Sequence, residues 1–376
     1  MKPQLKEINL HITDVCSAKC PMCYQTSENT PKIHGNLETL KIIVKNAIKN
    51  GHVERFVMVG GDPCAHPNFV ELLKHVKEIG NQYNINPKTI VLSNTHDYKE
   101  NGKLVDIKYA SQYIDEIDVT IHGATAEKHN SFNRCPGSYE HVMKNIQRFA
   151  DIKNQNQEIC AVINLMPYTM IHIEEIMTNT IKNSGGNINS FMIQRIGFAG
   201  KACEAPQKWV VGAQDINPFM SVCDKMNKNG YPVVFCDVLP WCSVKEEYRY
   251  LLPEGGCNWG YDTCAVFMDG SVKRCALGTN NLSKNITQLD TPEKFINWWQ
   301  NDTELTQFRK KCHLDVRCKS CDLLAKCGGG CVLARLEGDP YKKTDITVDF
   351  ARAPFVWGEA KSLPLGHDYL AKGLSR

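Results

Sequence analysis

Short runs of β-branched and apolar residues alternate with amphipathic stretches from Ile8 to about Ile196. The strand-like runs are Ile8–Thr13, Val53–Val59, Thr89–Ser93, Ile114–Ile121, Glu158–Leu165 and Ile188–Ile196. Between them apolar residues recur at helical spacing. Leu40, Ile43, Val44, Ala47 and Ile48 follow an N-cap at Asn36, with Gly51 closing the helix; Phe69, Leu72, Leu73, Val76 and Ile79 precede Gly80; Val142, Ile146 and Phe149 follow Ser138. Strands alternating with helices imply parallel strands joined by crossovers. Six strands suffice for an α/β fold, a partial (β/α)6 barrel of TIM type, whose chemistry collects just past the strand ends. From Ala205 to Glu254 the pattern thins to one helix, Ile216–Lys228, and one strand, Val233–Asp237, which reads as a bridge to a second unit.

The 376 residues leave room for that second unit. Hydrophobic content of 42% and charged content of 23% are those of a globular chain. The net charge of +3 is spread without a basic run, so neither nucleic acid nor a membrane surface is expected as a partner. The amino terminus has no signal-peptide core and no run reaches the ~18 apolar residues of a membrane span, so the expected location is the cytoplasm. In that reducing compartment 18 cysteines read as metal ligands rather than disulfides. They gather in two dense groups.

The first group follows the first strand: His11-Ile12-Thr13-Asp14-Val15-Cys16-Ser17-Ala18-Lys19-Cys20-Pro21-Met22-Cys23-Tyr24. Three thiolates spaced C-x3-C-x2-C can hold three corners of an iron–sulfur cube and leave one iron open; a structural zinc loop or a redox cluster is the rival reading. The loop resembles that of the radical S-adenosylmethionine (radical SAM) enzymes. The resemblance implies a [4Fe–4S] cluster on Cys16, Cys20 and Cys23, whose open iron chelates SAM so that one electron cleaves it to a 5′-deoxyadenosyl radical.

Further residues past strand ends extend the resemblance. Gly60-Gly61-Asp62-Pro63 is similar to the family's Gly-Gly-Glu-Pro, with Asp for Glu; it implies glycine carbonyls close to the methionine ammonium of SAM. Ser93-Asn94-Thr95 stands where the family carries Thr-Asn-Gly, and Thr120 and His122 where side chains face the ribose. Arg134 is implied as a partner of the SAM carboxylate, Met22 as a cover for adenine, and Arg195, in Gln194–Ala202, as part of the stretch ending the barrel. Read alone, each is an ordinary turn, strand or packing residue.

The second group comprises Cys257, Cys264 and Cys275 around Gly270, then Cys318-x2-Cys321-x5-Cys327-x3-Cys331. An Asp269-Gly270 hairpin is expected between Cys264 and Cys275. A zinc ribbon suits the C-x2-C pair as well. The spacing resembles the SPASM extension of peptide-modifying radical SAM enzymes. That implies two auxiliary [4Fe–4S] clusters, the first on Cys257, Cys264, Cys275 and Cys331, the second on Cys318, Cys321 and Cys327. The family's further cysteine is missing downstream, which leaves the second cluster open or completed by Cys312, Asp345 or Asp349. Cys236 and Cys242 read as buried structural thiols.

The expected units are thus residues 1–204 (barrel), 205–254 (bridge), 255–335 (SPASM) and 336–376 (tail). The first strand begins too early for an amino-terminal recognition domain, so a separate recognition protein or capture in the barrel mouth is expected. The implied enzyme oxidises a peptide or protein side chain, supplied with electrons by a flavodoxin- or ferredoxin-type donor; a small-molecule substrate and a non-catalytic metal scaffold are the alternatives. In sulfatase maturases with this extension an Asp base follows the cysteine matching Cys275. Here that residue is Ala276.

Overall fold

The computed structural model describes residues 2–25, 32–96, 99–100, 103–104, 110–197, 199–204, 208–209, 211, 213–278, 280–310 and 316–331. All six expected strands form: β1 (Glu7–His11), β2 (Arg55–Val59), β3 (Lys88–Ser93), β4 (Glu116–Ile121), β5 (Glu158–Leu165) and β6 (Ser190–Arg195). Each pairs in parallel with the next. The crossovers carry α1 (Leu37–Gly51), α2 (Phe69–Gln82), α3 (Ala126–Asn133), α4 (Ser138–Ile152) and α5 (Pro167–Asn183). No described helix is long and apolar enough to cross a membrane.

Three further strands extend the sheet beyond the six. β7 (Val233–Phe235), from the expected bridge, pairs with β6. β8 (Thr263–Val266) pairs in parallel with β1 and antiparallel with β9 (Val272–Lys273). The nine-stranded sheet therefore runs β9-β8-β1-β2-β3-β4-β5-β6-β7, and its two edges come from the bridge and the cysteine-rich part. The hairpin turn falls where expected, with Gly270 at φ 83°.

The alternation along β4 shows how the layers are divided. Ile117, Val119 and Ile121 join the core under the helices. Asp118 and Thr120 face the opposite way, into the barrel. Val53, Ile114 and Ile188 are 0%, 2% and 4% exposed yet precede their strands, because an apolar pattern registers burial and not pairing.

Asn36 caps α1 as expected, its side chain accepting from Thr39 N at 3.1 Å. The other end differs: His52, at φ 53°, takes the left-handed cap, and Gly51 is the last helical residue. A Cβ on Gly51 would lie 2.4 Å from the Phe295 ring, so its role is close packing against α7 (Pro292–Asn301). Beside it Asn46 and Asn50 donate to Ile286 O and Leu289 O at 3.1 and 2.9 Å, docking the cysteine-rich half onto the barrel through buried polar bonds. The bridge adds α6 (Ala213–Lys228), and the cysteine-rich half ends in α8 (Thr303–Arg309), α9 (Val316–Lys319) and α10 (Leu324–Cys327). Cys312, Asp345, Asp349, Phe198 and the tail lie outside the described residues.

Candidate active site

The loop after β1 is gripped by the ends of its neighbours. Gly61 N donates to Thr13 O at 2.6 Å and Asp62 N to Val15 O at 2.7 Å. A Cβ on Gly61 would lie 2.3 Å from Val15 O and 2.6 Å from its carbonyl carbon; one on Gly60, at φ 155°, would lie 2.5 Å from Thr13 O. The close approach that these glycines permit is to the cysteine loop itself, which is a different reason from the expected approach to SAM. On the far side Gly200, at φ 54°, brings its Cα against Tyr24 O and Cys23 O, and Lys201 N donates to Cys23 O at 2.9 Å.

Asp62, 1% exposed, is the tie between the ends of β2 and β3. It accepts from Ser93 Oγ at 2.8 Å, Cys64 N at 3.0 Å and Asn94 N at 3.1 Å, a reach that suits Asp better than the longer Glu of the resembling motif. Pro63 opens the short helical turn that Asp62 caps. Asn94 then points its Nδ2 at Cys16 Sγ, 3.5 Å away. Thr95 occupies φ 54°, the conformation for which a glycine would be suited, with its buried Oγ1 unpartnered.

His122 reaches the loop from the end of β4. Its Nε2 lies 3.6 Å from Cys20 Sγ and its Nδ1 is buried without a partner. Burial lowers its pKa to about 4, so the ring is neutral and can donate one N–H to the sulfur. Asn133 O, at the end of α3, accepts from Lys19 N at 2.8 Å, and the exposed Arg134 beside it sits at φ 54°. Thr120 and Met22 are half-buried. Arg195 is held to the segment after β7: its Nη1 donates to Val238 O at 3.0 Å and its N to Asp237 at 2.9 Å.

The three loop cysteines fit a cluster by donor type and by spacing. Burial, then the charge of Asp62, pushes the Cys16 thiol up to about 12, so the thiolate needs a bound cation to form. Four thiolates on one zinc ion would crowd to about 3.8 Å from one another. Among the described residues, the one set of His, Cys, Asp or Glu ligand atoms converging within 4.8 Å is Glu116, Asp118 and Cys160 in the barrel interior.

Of the second group, Cys257, Cys275 and Cys331 come together: Cys331 and Cys275 raise the Cys257 thiol, and Cys331 raises that of Cys275, which burial above all pushes up to about 12. Cys264 is not brought to them. It is fully buried in the hydrophobic core, beside Ile8 in the β1–β8 register. Cys318, Cys321 and Cys327 line one cavity. Burial above all raises the pKa of the Tyr24 hydroxyl, and the charges of Cys23 and Cys275 add to the rise.

Residues 10–179 match the radical SAM superfamily. This segment, which carries the first cysteine loop, is a radical SAM domain. Solved structures share the fold over most of the chain. SuiB of Streptococcus suis, bound to the precursor peptide SuiA, superposes with a TM-score of 0.68 at 15% identity, covering 94% of this chain and 76% of that one. The protein anSMEcpe with bound AdoMet gives a TM-score of 0.63 at 17% identity, covering 95% and 94%. By sequence the chain is 22% identical to the AdoMet-dependent heme synthase of Oleidesulfovibrio alaskensis, over 87% of this chain and 82% of that protein. It is also 22% identical to a probable GTP 3′,8-cyclase of Saccharolobus islandicus, over 39% and 44%.

A radical SAM domain implies SAM and one [4Fe–4S] cluster, which Cys16, Cys20 and Cys23 fit. Tyr24, His96 and Asp237 were not singled out from sequence. Tyr24 follows the last loop cysteine, a signal that was there to use; His96, against Ser17 and Ser138 at 2.8 Å, and Asp237 are placed by tertiary structure alone.

Proposed function

We propose that this radical SAM enzyme oxidatively modifies a peptide or protein side chain, with auxiliary [4Fe–4S] clusters taking up an electron from the substrate. The observation that carries this reading is that β8, a strand of the cysteine-rich part, pairs in parallel with β1, the strand that leads into Cys16, Cys20 and Cys23. When bound, SAM and its cluster supply a carbon radical that takes one hydrogen atom from the substrate. The chain's own residues then have definite tasks. Cys16, Cys20 and Cys23 hold the metal; Asn94 and His122 donate to two of the sulfurs, favouring their charged form. Gly60, Gly61, Asp62, Pro63, Ser93, Thr120, Arg134 and Met22 shape the SAM site around them. The substrate loses one further electron, to the auxiliary clusters, and one proton, so the product is two hydrogens lighter. An external flavodoxin- or ferredoxin-type donor starts each turnover.

The fold shared with peptide-bound SuiB supports the peptide. A small-molecule substrate is the second reading, favoured by the alignment to the heme synthase across most of both chains. Anaerobic protein with reductant should turn SAM into 5′-deoxyadenosine. Changing Cys16, Cys20 and Cys23 together to Ala should abolish this while leaving substantial iron; cleavage that survives in that variant overturns the reading. Mass spectrometry of peptides encoded beside the enzyme separates the substrate classes by a loss of two hydrogens.

A further inference from the structure

Cys242 lies on the 3-10 turn Trp241–Ser243, in the stretch between α6 and the cysteine-rich half. It lines the same cavity as Cys318, Cys321 and Cys327, although more than seventy residues separate it from them in sequence. The rest of the lining is Pro240, Leu323, Leu324 and Gly329, none with a side chain able to bind metal. Sulfur is thus the sole side-chain donor type there.

The turn is held in place through its flanking residues Trp241 and Ser243. Trp241 N points to Cys327 Sγ at 3.4 Å, Arg249 Nε donates to Trp241 O at 3.1 Å, and Asn217 Nδ2 donates to Ser243 O at 3.1 Å. On the opposite wall two short helical turns present the other sulfurs: Cys321 N bonds Cys318 O at 3.1 Å and Cys327 N bonds Leu323 O at 2.8 Å. Residues 332–376 contain no cysteine.

We propose that Cys242 is the fourth ligand of the second auxiliary cluster, closing a four-thiolate site with Cys318, Cys321 and Cys327. This deepens the reading of those three cysteines as a [4Fe–4S] site and rests on it. It changes which cluster is open. The second site becomes coordinatively complete and suited to passing electrons, whereas the first has three described cysteines once Cys264 is turned to the core.

The test uses the full-length chain, anaerobically reconstituted, with Cys16, Cys20 and Cys23 changed to Ala so that only auxiliary iron is counted. Cys318→Ala should lose about four irons per chain. Cys242→Ser keeps a near-isosteric side chain but replaces the thiolate. Mild oxidation should then release an iron from that corner, raising the three-iron EPR signal by about one spin per chain over the parent. Loss of the whole cluster from Cys242→Ser would equally support the assignment. If Cys318→Ala loses its iron while Cys242→Ser matches the parent in iron and spin count, Cys242 is not a ligand and the cluster reading stands. If Cys318→Ala keeps its iron, the cluster reading and the assignment fall together.

Discussion

Replacing Gly61 by Ala tests whether the glycine pair serves SAM or the cysteine loop. The new methyl would lie 2.3 Å from Val15 O and 2.7 Å from the Asp14 carbonyl carbon, both inside the 3.0 Å that Cβ contacts keep. Both obstacles are backbone, so no side chain can swing away. The strands must part by about 0.7 Å, an overpacking that costs about 1–3 kcal/mol. The same movement strains the bonds from Gly61 N to Thr13 O and Asp62 N to Val15 O, at 2.6 and 2.7 Å, each worth about 1 kcal/mol. A total near 2–5 kcal/mol is expected, falling on the segment that leads into Cys16. Urea unfolding should show a lower midpoint at unchanged slope, and anaerobic reconstitution should yield less SAM-cluster iron. A variant with parental stability and iron but weakened SAM binding would refute this reasoning and return the glycines to the role of admitting SAM.

Thr95→Gly should stabilise the fold by about 1 kcal/mol and so raise the unfolding midpoint, because a β-branched residue at φ 54° is strained and its buried hydroxyl has no partner; a lower midpoint would mean that the threonine methyl packs for more than the strain costs. His129, lowered by burial to about 2, stays neutral in the folded chain while the unfolded chain protonates near 6.5, so stability present above pH 6.5 should fall as pH drops below it. His129→Gln should flatten that fall in pH-dependent denaturant titrations, and an unchanged slope would count against it. Asp237→Asn should leave 5′-deoxyadenosine formation intact and lower product formation by about 10²–10⁴-fold, the usual worth of a positioned base, read by mass spectrometry; equal loss of both would make Asp237 structural.

The period of the apolar residues was enough to find β1 to β6 and the inner stripes of α1, α2 and α4, because each of those elements buries one face against the other layer. β7, β8 and β9 were legible as strands, Val233–Asp237 and the Asp269-Gly270 hairpin, but not as edges of the barrel sheet, since a sequence carries no record of which edge a strand joins. Cysteine spacing behaves in the same way. It gathers Cys16, Cys20 and Cys23, which share a loop, yet it does not tell Cys264 from a ligand, because the direction in which a strand residue points depends on register: Cys264 aligns with Ile8 and turns inward. Cys242 was read as a structural thiol because its partners follow it by dozens of residues. Thr95 shows the opposite case, a mismatch to a glycine motif in which the backbone keeps the glycine conformation at a cost in strain.

The absence of an acid after Cys275 bears on the chemistry. Ala276 cannot take a proton, and Leu277 presses its side chain against Gly197, filling the space beyond β6. Asp237, just past edge strand β7, acts on the Cys275 thiol through its charge, which raises it after burial and Cys331 have done so. Burial lifts the pKa of Asp237 itself, while Arg195 opposes that lift, so the group is more basic than an exposed carboxylate. A base supplied from the opposite edge of the sheet approaches the substrate from a different side than one attached next to Cys275 would. Aldehyde formation from a sulfatase-type Cys or Ser peptide depends on a base beside that cysteine, and none is present there. Under the proposed function, an approach from β7, together with an open corner on a cluster held by Cys257, Cys275 and Cys331, would instead suit a substrate side chain held at that iron while hydrogen is lost from a neighbouring carbon.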